Sequence, residues 1–134
     1  MTTIARPRLL RLALHADALC AGVVALLMLA AAAPLATLTA LPQGLLQGVG
    51  IALLPFAVWL AWLATRPTRT AALCVVAINA LYAIDCLALP LLGWVQPSAL
   101  GMAFLLLQAV VVGGFAACGA FALGRGARRD AARA

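Results

Sequence analysis

The stretch Asp17-Ala18-Leu19-Cys20-Ala21 sets one carboxylate inside an otherwise apolar run, and Asn79-Ala80-Leu81-Tyr82-Ala83 repeats its pattern later in the chain. Of the 134 residues, 67% are hydrophobic and 9% charged, against roughly 25% charged in an ordinary soluble domain. That supply of charge cannot coat a surface facing water, so the apolar runs around both segments read as membrane-spanning helices. Each segment then opens a hairpin. The chain reads as an all-α membrane protein, a single domain over residues 1-134, built as an antiparallel four-transmembrane-helix bundle of two hairpins.

The four spans cover about 9-33, 44-65, 70-92 and 98-123, each long enough to cross a hydrocarbon core of about 30 Å. Residues 1 to 8 form a short basic tail. A basic start, an apolar stretch and Ala30-Ala31-Ala32-Ala33 also fit a secretory signal peptide. However, the stretch exceeds an h-region and is interrupted by His15 and Asp17, which favours an uncleaved helix. Pro34 and Pro42 bracket an uncharged connection, residues 35 to 41, because proline cannot continue the helical hydrogen-bond ladder. Pro55 is expected to kink the second span, and Trp59 and Trp62 suit an interfacial position near its far end. Gly124 reads as a helix terminator before a C-terminal tail rich in arginine.

The net charge is +6, and every basic residue is an arginine. All of them fall at the N-terminus, in the 66-69 turn or in the C-terminal tail, whereas the connections 35-41 and 93-97 carry no charge. By the positive-inside rule this multi-pass protein should have both termini cytoplasmic. So strong a bias argues against dual topology. Arginines at the edges of apolar runs suit anionic headgroups better than nucleic acid. The expected partners are therefore membrane lipids, with a homodimer or a partner membrane protein as further candidates, and no nucleic acid.

The two echoing segments begin 62 residues apart, at 17 and 79, and Gln47 follows Asp17 at nearly the interval by which Gln108 follows Asn79. Hairpins of the same sense imply a parallel repeat about an axis along the membrane normal. At 1.5 Å per residue, Asp17 lies about 12 Å and Asn79 about 14 Å from the arginine-bearing ends of their spans, at nearly one depth. Asp85 and Gln108 make a second level, about 20 Å in. On the third span Asn79, Tyr82 and Cys86 share a face and Asp85 lies at its edge. The candidate intramembrane polar site is thus Asp17, Asn79, Tyr82, Asp85 and Gln108.

An Asp at mid-membrane costs about 2.5 to 3.5 kcal/mol, so it should face the bundle and find a donor, or take up a proton. Two readings follow for Asp17. Either it is a hydrogen-bonding clasp to Asn79 that holds the hairpins in register, or it is a proton-accepting site in a transport path or ligand pocket.

Nothing in the chain spells catalysis. There is no nucleophile beside a base, no carboxylate pair on one level and no phosphate loop. The cysteines Cys20, Cys74, Cys86 and Cys118 lie singly in apolar runs, without C-x-x-C spacing, and read as small fillers. His15 stands alone, about 160° round the helix from Asp17, and suits an interfacial or interhelical hydrogen bond. No metal and no cofactor is expected. Gly44 and Gly48 in the second span, and Gly113 within a stripe of small residues in the fourth, are candidates for close helix packing, against this chain or a second copy.

Asp17, Leu54-Pro55-Phe56 and Asn79-Ala80-Leu81-Tyr82 give the chain a likeness that covers most of its length. It resembles small four-helix bacterial inner-membrane proteins rich in alanine and arginine. That resemblance implies the same bundle, placed in a bacterial inner membrane, and brings no assigned activity. The chain lacks the paired cysteines of mercury-uptake proteins, and Asp17 is not set in the glutamate-centred first helix of small multidrug exporters.

The function expected is that of a structural or accessory membrane component. The alternative is a small proton-linked transporter or lipophilic-ligand binder using Asp17 and Asp85. The topology is directly testable: a periplasm-active reporter fused within residues 35-41 should be active, and the same reporter fused after Ala134 silent. The opposite pattern would overturn the orientation.

Overall fold

The computed structural model describes residues 4–124, so the expectations for the C-terminal tail lie outside the described residues. Five helices occur among them: α1 (Pro7–Ala30), α2 (Ala32–Thr39), α3 (Gln43–Thr65), α4 (Arg69–Leu91) and α5 (Ala99–Leu123). The four long ones are apolar and long enough to cross a membrane, and only 22% to 28% of each apolar window is buried inside the bundle. Large apolar side chains on all four helices, Leu12, Val58, Leu81 and Val110 among them, are exposed, an arrangement that suits a hydrocarbon solvent. The result is an all-α bundle of four antiparallel spans.

Local chemistry sets the boundaries. Pro7 is the first residue of α1, where its missing N–H has no partner to lose. The first span breaks at Ala31 (φ −117°, ψ 26°), and the chain resumes at once as α2. The connection expected over 35-41 is thus helical as far as Thr39. Pro34 sits in the first turn of α2, where no N–H is required, so it helps to begin a helix rather than stop one. Ala40 adopts a left-handed conformation (φ 55°) and ends α2. Thr68 and Ser98 cap α4 and α5, accepting from the backbone N–H of Ala71 at 3.3 Å and of Gly101 at 3.1 Å. Pro55 lies inside α3, which runs on through it, and Pro90 falls in the last turn of α4.

The helices form a ring in the order α3, α1, α5, α4. α1 lies along α3, α4 along α5, and α1 joins the hairpins by packing on α5. The fourth side is open, because α3 and α4 barely touch. On α1 the buried positions are Leu10, Leu14, Asp17, Ala21, Ala25 and Met28, a stripe at intervals of three and four that points at the ring's centre. Towards the end bearing the arginines, the stripe joins a packed core with Leu60, Leu63, Val75 and Leu123. Towards the charge-free end it joins a smaller one around Met28, Leu46, Cys86 and Leu105.

Both ends of the ring are tied between hairpins. At the charge-free end the Ser98 backbone N–H donates to the Thr39 carbonyl at 2.9 Å, and its hydroxyl donates to the Leu38 carbonyl at 2.7 Å. At the other, the Arg6 guanidinium lies 4.4 Å from the centre of the Phe121 ring. Within the second hairpin, Arg69 donates to the Leu123 carbonyl at 2.9 Å, satisfying a free carbonyl at the end of α5.

The glycines divide differently from the sequence expectation. A Cβ on Gly44 or Gly48 would meet nothing within 4 Å, so this G-x-x-x-G makes no close packing within the chain. Gly113 does pack, with a Cβ there falling 3.8 Å from that of Ala83 on α4. The tightest approach is at Gly101, where an added Cβ would lie 2.0 Å from the Thr39 carbonyl oxygen that Ser98 bonds. Gly101→Ala should therefore lower stability in detergent by about 1–3 kcal/mol, while Gly48→Ala leaves it unchanged or slightly raised. Thermal unfolding of both variants measures the difference.

Candidate functional site

The polar side chains of the spans converge behind the open α3/α4 seam. Asp17 and Asn79 each occupy a core position on their helical stripe, and are 4% and 3% exposed. Asn79 Nδ2–H donates to Asp17 Oδ2 at 2.5 Å. Since α1 and α4 stand diagonally across the ring, this bond crosses the centre of the bundle and links one hairpin to the other. Among the described residues no buried side-chain nitrogen or oxygen lacks a hydrogen bond.

A second contact lies about one turn further towards the charge-free end. The Tyr82 hydroxyl donates to Gln108 Oε1 at 3.4 Å, well beyond the usual 2.7–2.8 Å of a hydroxyl–oxygen bond. Sequence depth paired Gln108 with Asp85, but the structure pairs it with Tyr82. Three residues on, Asp85 is rotated by about 60° from Tyr82 towards the seam. It is exposed there and makes no hydrogen bond or ion pair among the described residues. Gln47, the counterpart of Gln108 in the sequence echo, is exposed on the far side of α3.

Two cavities adjoin at these groups. The outer, of about 310 Å³, is lined by Met28, Leu45, Tyr82, Asp85, Trp94 and Phe104 among others. The inner, of about 270 Å³, reaches Asp17, Cys20, Leu53, Phe56 and Asn79. Val49, Tyr82 and Gln108 line both, so the Tyr82–Gln108 contact forms a waist between them. Beyond the Asp17–Asn79 pair, towards the arginine end, the free space falls to about 10 Å³. The combined space is mostly apolar, is bordered by residues of α3 and α4, and reaches the charge-free connections at Leu41 and Trp94.

The remaining polar residues stay outside this pocket. His15 Nδ1 bonds the Arg11 carbonyl one turn back, at 2.8 Å, a local contact on an exposed face rather than an interhelical one. The four cysteines are free, and only Cys20 and Cys86 line the pocket. No group of three or more His, Cys, Asp or Glu side chains among the described residues could hold a metal ion. Sequence reasoning missed Trp94 and Phe104 as pocket residues. Nothing in their local pattern reveals it, because Trp94 reaches the pocket only through the fold of the 93-97 connection. No protein family, curated protein or solved structure matches the chain.

The arrangement can do two things chemically: clasp the hairpins through one buried polar bond, and enclose an apolar molecule beside a few hydrogen-bonding groups. The clasp has a measurable signature. Asn79→Leu strands the Asp17 carboxyl and should destabilise the bundle by about 1–3 kcal/mol, whereas Asp17→Asn, which keeps a hydrogen-bonding partner for Asn79, should cost less. The Asp17→Leu/Asn79→Leu double variant should be more stable than the sum of its parts implies, as read by unfolding in detergent.

Proposed function

We propose that this multi-pass protein takes up a lipophilic small molecule from the bilayer and holds it in the pocket behind the α3/α4 seam. The observation that carries the reading is the pair of adjoining cavities at membrane depth. They are lined mainly by apolar side chains and carry a few convergent polar groups. Ligand sites have this composition and begin at about 300 Å³. The loose Tyr82–Gln108 contact supports it too, since a hydroxyl and an amide held weakly can exchange partners with an entering molecule at little cost.

Beyond Asp17 and Asn79, towards the arginine end, the space closes to about 10 Å³, which places the roomy part of the bundle at the charge-free end. An accessory role, in which the bundle serves as a rigid membrane scaffold, is favoured by the Asp17–Asn79 bond, which acts as a structural clasp whatever the pocket holds. The arginine distribution supports cytoplasmic termini, and the resemblance to small bacterial inner-membrane proteins suggests the membrane.

A neutral, diazirine-bearing lipophile photolysed in membranes containing the protein tests the binding reading. Adducts should concentrate on Val49, Tyr82 and Leu53. Val49→Trp, which fills the waist, should cut that labelling several-fold while the protein still unfolds cooperatively. Labelling spread evenly over outward residues such as Leu19, Val58 and Leu106 would overturn the proposal.

A further inference from the structure

We infer that the ligand is a lipophilic organic cation, held in the outer cavity by Asp85 against aromatic rings. This deepens the lipophile-binding reading and rests on it.

Charge placement makes the first argument. The two acidic side chains among the described residues, Asp17 and Asp85, both line the pocket, and none of the arginines does. The described arginines, Arg6, Arg8, Arg11, Arg66 and Arg69, all lie at the opposite end of the spans from Asp85. The pocket thus has acceptors of positive charge and no counter-charge of its own. Anionic lipophiles would meet one-signed repulsion there.

The two carboxyls are not equivalent. Asp17 is buried and engaged by the Asn79 amide. Asp85 is exposed at the rim of the seam and unpartnered among the described residues. Six residues before the end of α4, it lies about 9 Å inside the span. A carboxyl so placed is unfavourable in hydrocarbon and is expected to find a partner. The described residues supply none, which leaves this carboxyl for a partner that enters the cavity.

Aromatic side chains make the second, independent argument. Tyr82, Trp94 and Phe104 line the same cavity as Asp85. Trp94 is 74% exposed, although an indole is among the largest apolar side chains to leave uncovered. A carboxylate in a cavity lined by three aromatic side chains is the chemistry that suits quaternary ammonium and related soft cations. A small hydrated ion would find too few oxygen ligands here, and a neutral lipid would leave the carboxylate unmatched. The cation therefore carries its charge inside an apolar shell, and its apolar arms extend past Val49 into the inner cavity.

Tetraphenylphosphonium is the probe, with isosteric tetraphenylborate as its negative counterpart, each titrated against the full-length protein in a non-ionic detergent. Saturable binding of the phosphonium and none of the borate is expected. Asp85→Asn should weaken phosphonium binding at least tenfold and Trp94→Leu several-fold, with melting transitions close to that of the parent protein. If the neutral photolabel still marks Val49 and Tyr82 but the phosphonium does not bind, or binds Asp85→Asn equally well, the cation inference fails and the lipophile reading stands. If both the photolabel and the phosphonium fail to find the pocket, both fall. Should Asp85→Asn not fold, the Trp94→Leu titration and the borate comparison decide the matter alone.

Discussion

Hydrocarbon offers no hydrogen bond to anything dissolved in it, and that constraint shapes this protein more than any single contact. In water, Asp17 and Asn79 would be unremarkable surface residues. In a bilayer each is expensive until it meets another polar group, so a bond that is modest by soluble standards becomes a specification of register. The diagonal link between α1 and α4 exists because neither partner has an alternative at its depth. The apolar packing around it, which includes Leu10, Leu14 and Val75, is interchangeable in a way that this pair is not.

The same constraint explains why the two ends of the bundle differ. Towards the arginines, large side chains fill the ring and leave little space. Past the Asp17–Asn79 level the core thins to a smaller cluster and the cavities begin. Since helix association in lipid lacks the drive that water supplies, close approach depends on small residues at the contact. Gly101 and Gly113 supply them on α5, and Gly50 packs against Leu29 between α1 and α3. The α3/α4 side has Gly44 and Gly48 nearby, but with nothing seated against either. That side stays parted.

Much of this was legible in the sequence, for identifiable reasons. Four spans, their antiparallel order and the meeting of residue 17 with residue 79 follow from apolar length, from rise per residue and from the scarcity of polar groups. The partner of Gln108 was not legible. Depth alone matched it to Asp85, whereas a rotation of less than a quarter turn gives the contact to Tyr82 and sends Asp85 to the seam. α2 was obscured because Pro34 reads as a stop, although a proline in the first turn of a helix is equally at home. Which glycines sit in tight contacts also escaped, since Gly101 owes its closeness to a carbonyl in another hairpin. The pocket itself depends on two helices failing to meet, and no local pattern encodes a failure.

One consequence lies in how α3 and α4 are joined. The helices that border the seam are consecutive in the chain, linked at the arginine end by residues 66-68 alone. They are pinned together at that tip, whereas at the other they are held only through their neighbours, by the bonds from Ser98 to Leu38 and Thr39. Any widening of the gap is thus angular, growing from residues 66-68 past Phe56 towards Trp94, and the Ser98 bonds limit how far the mouth can spread.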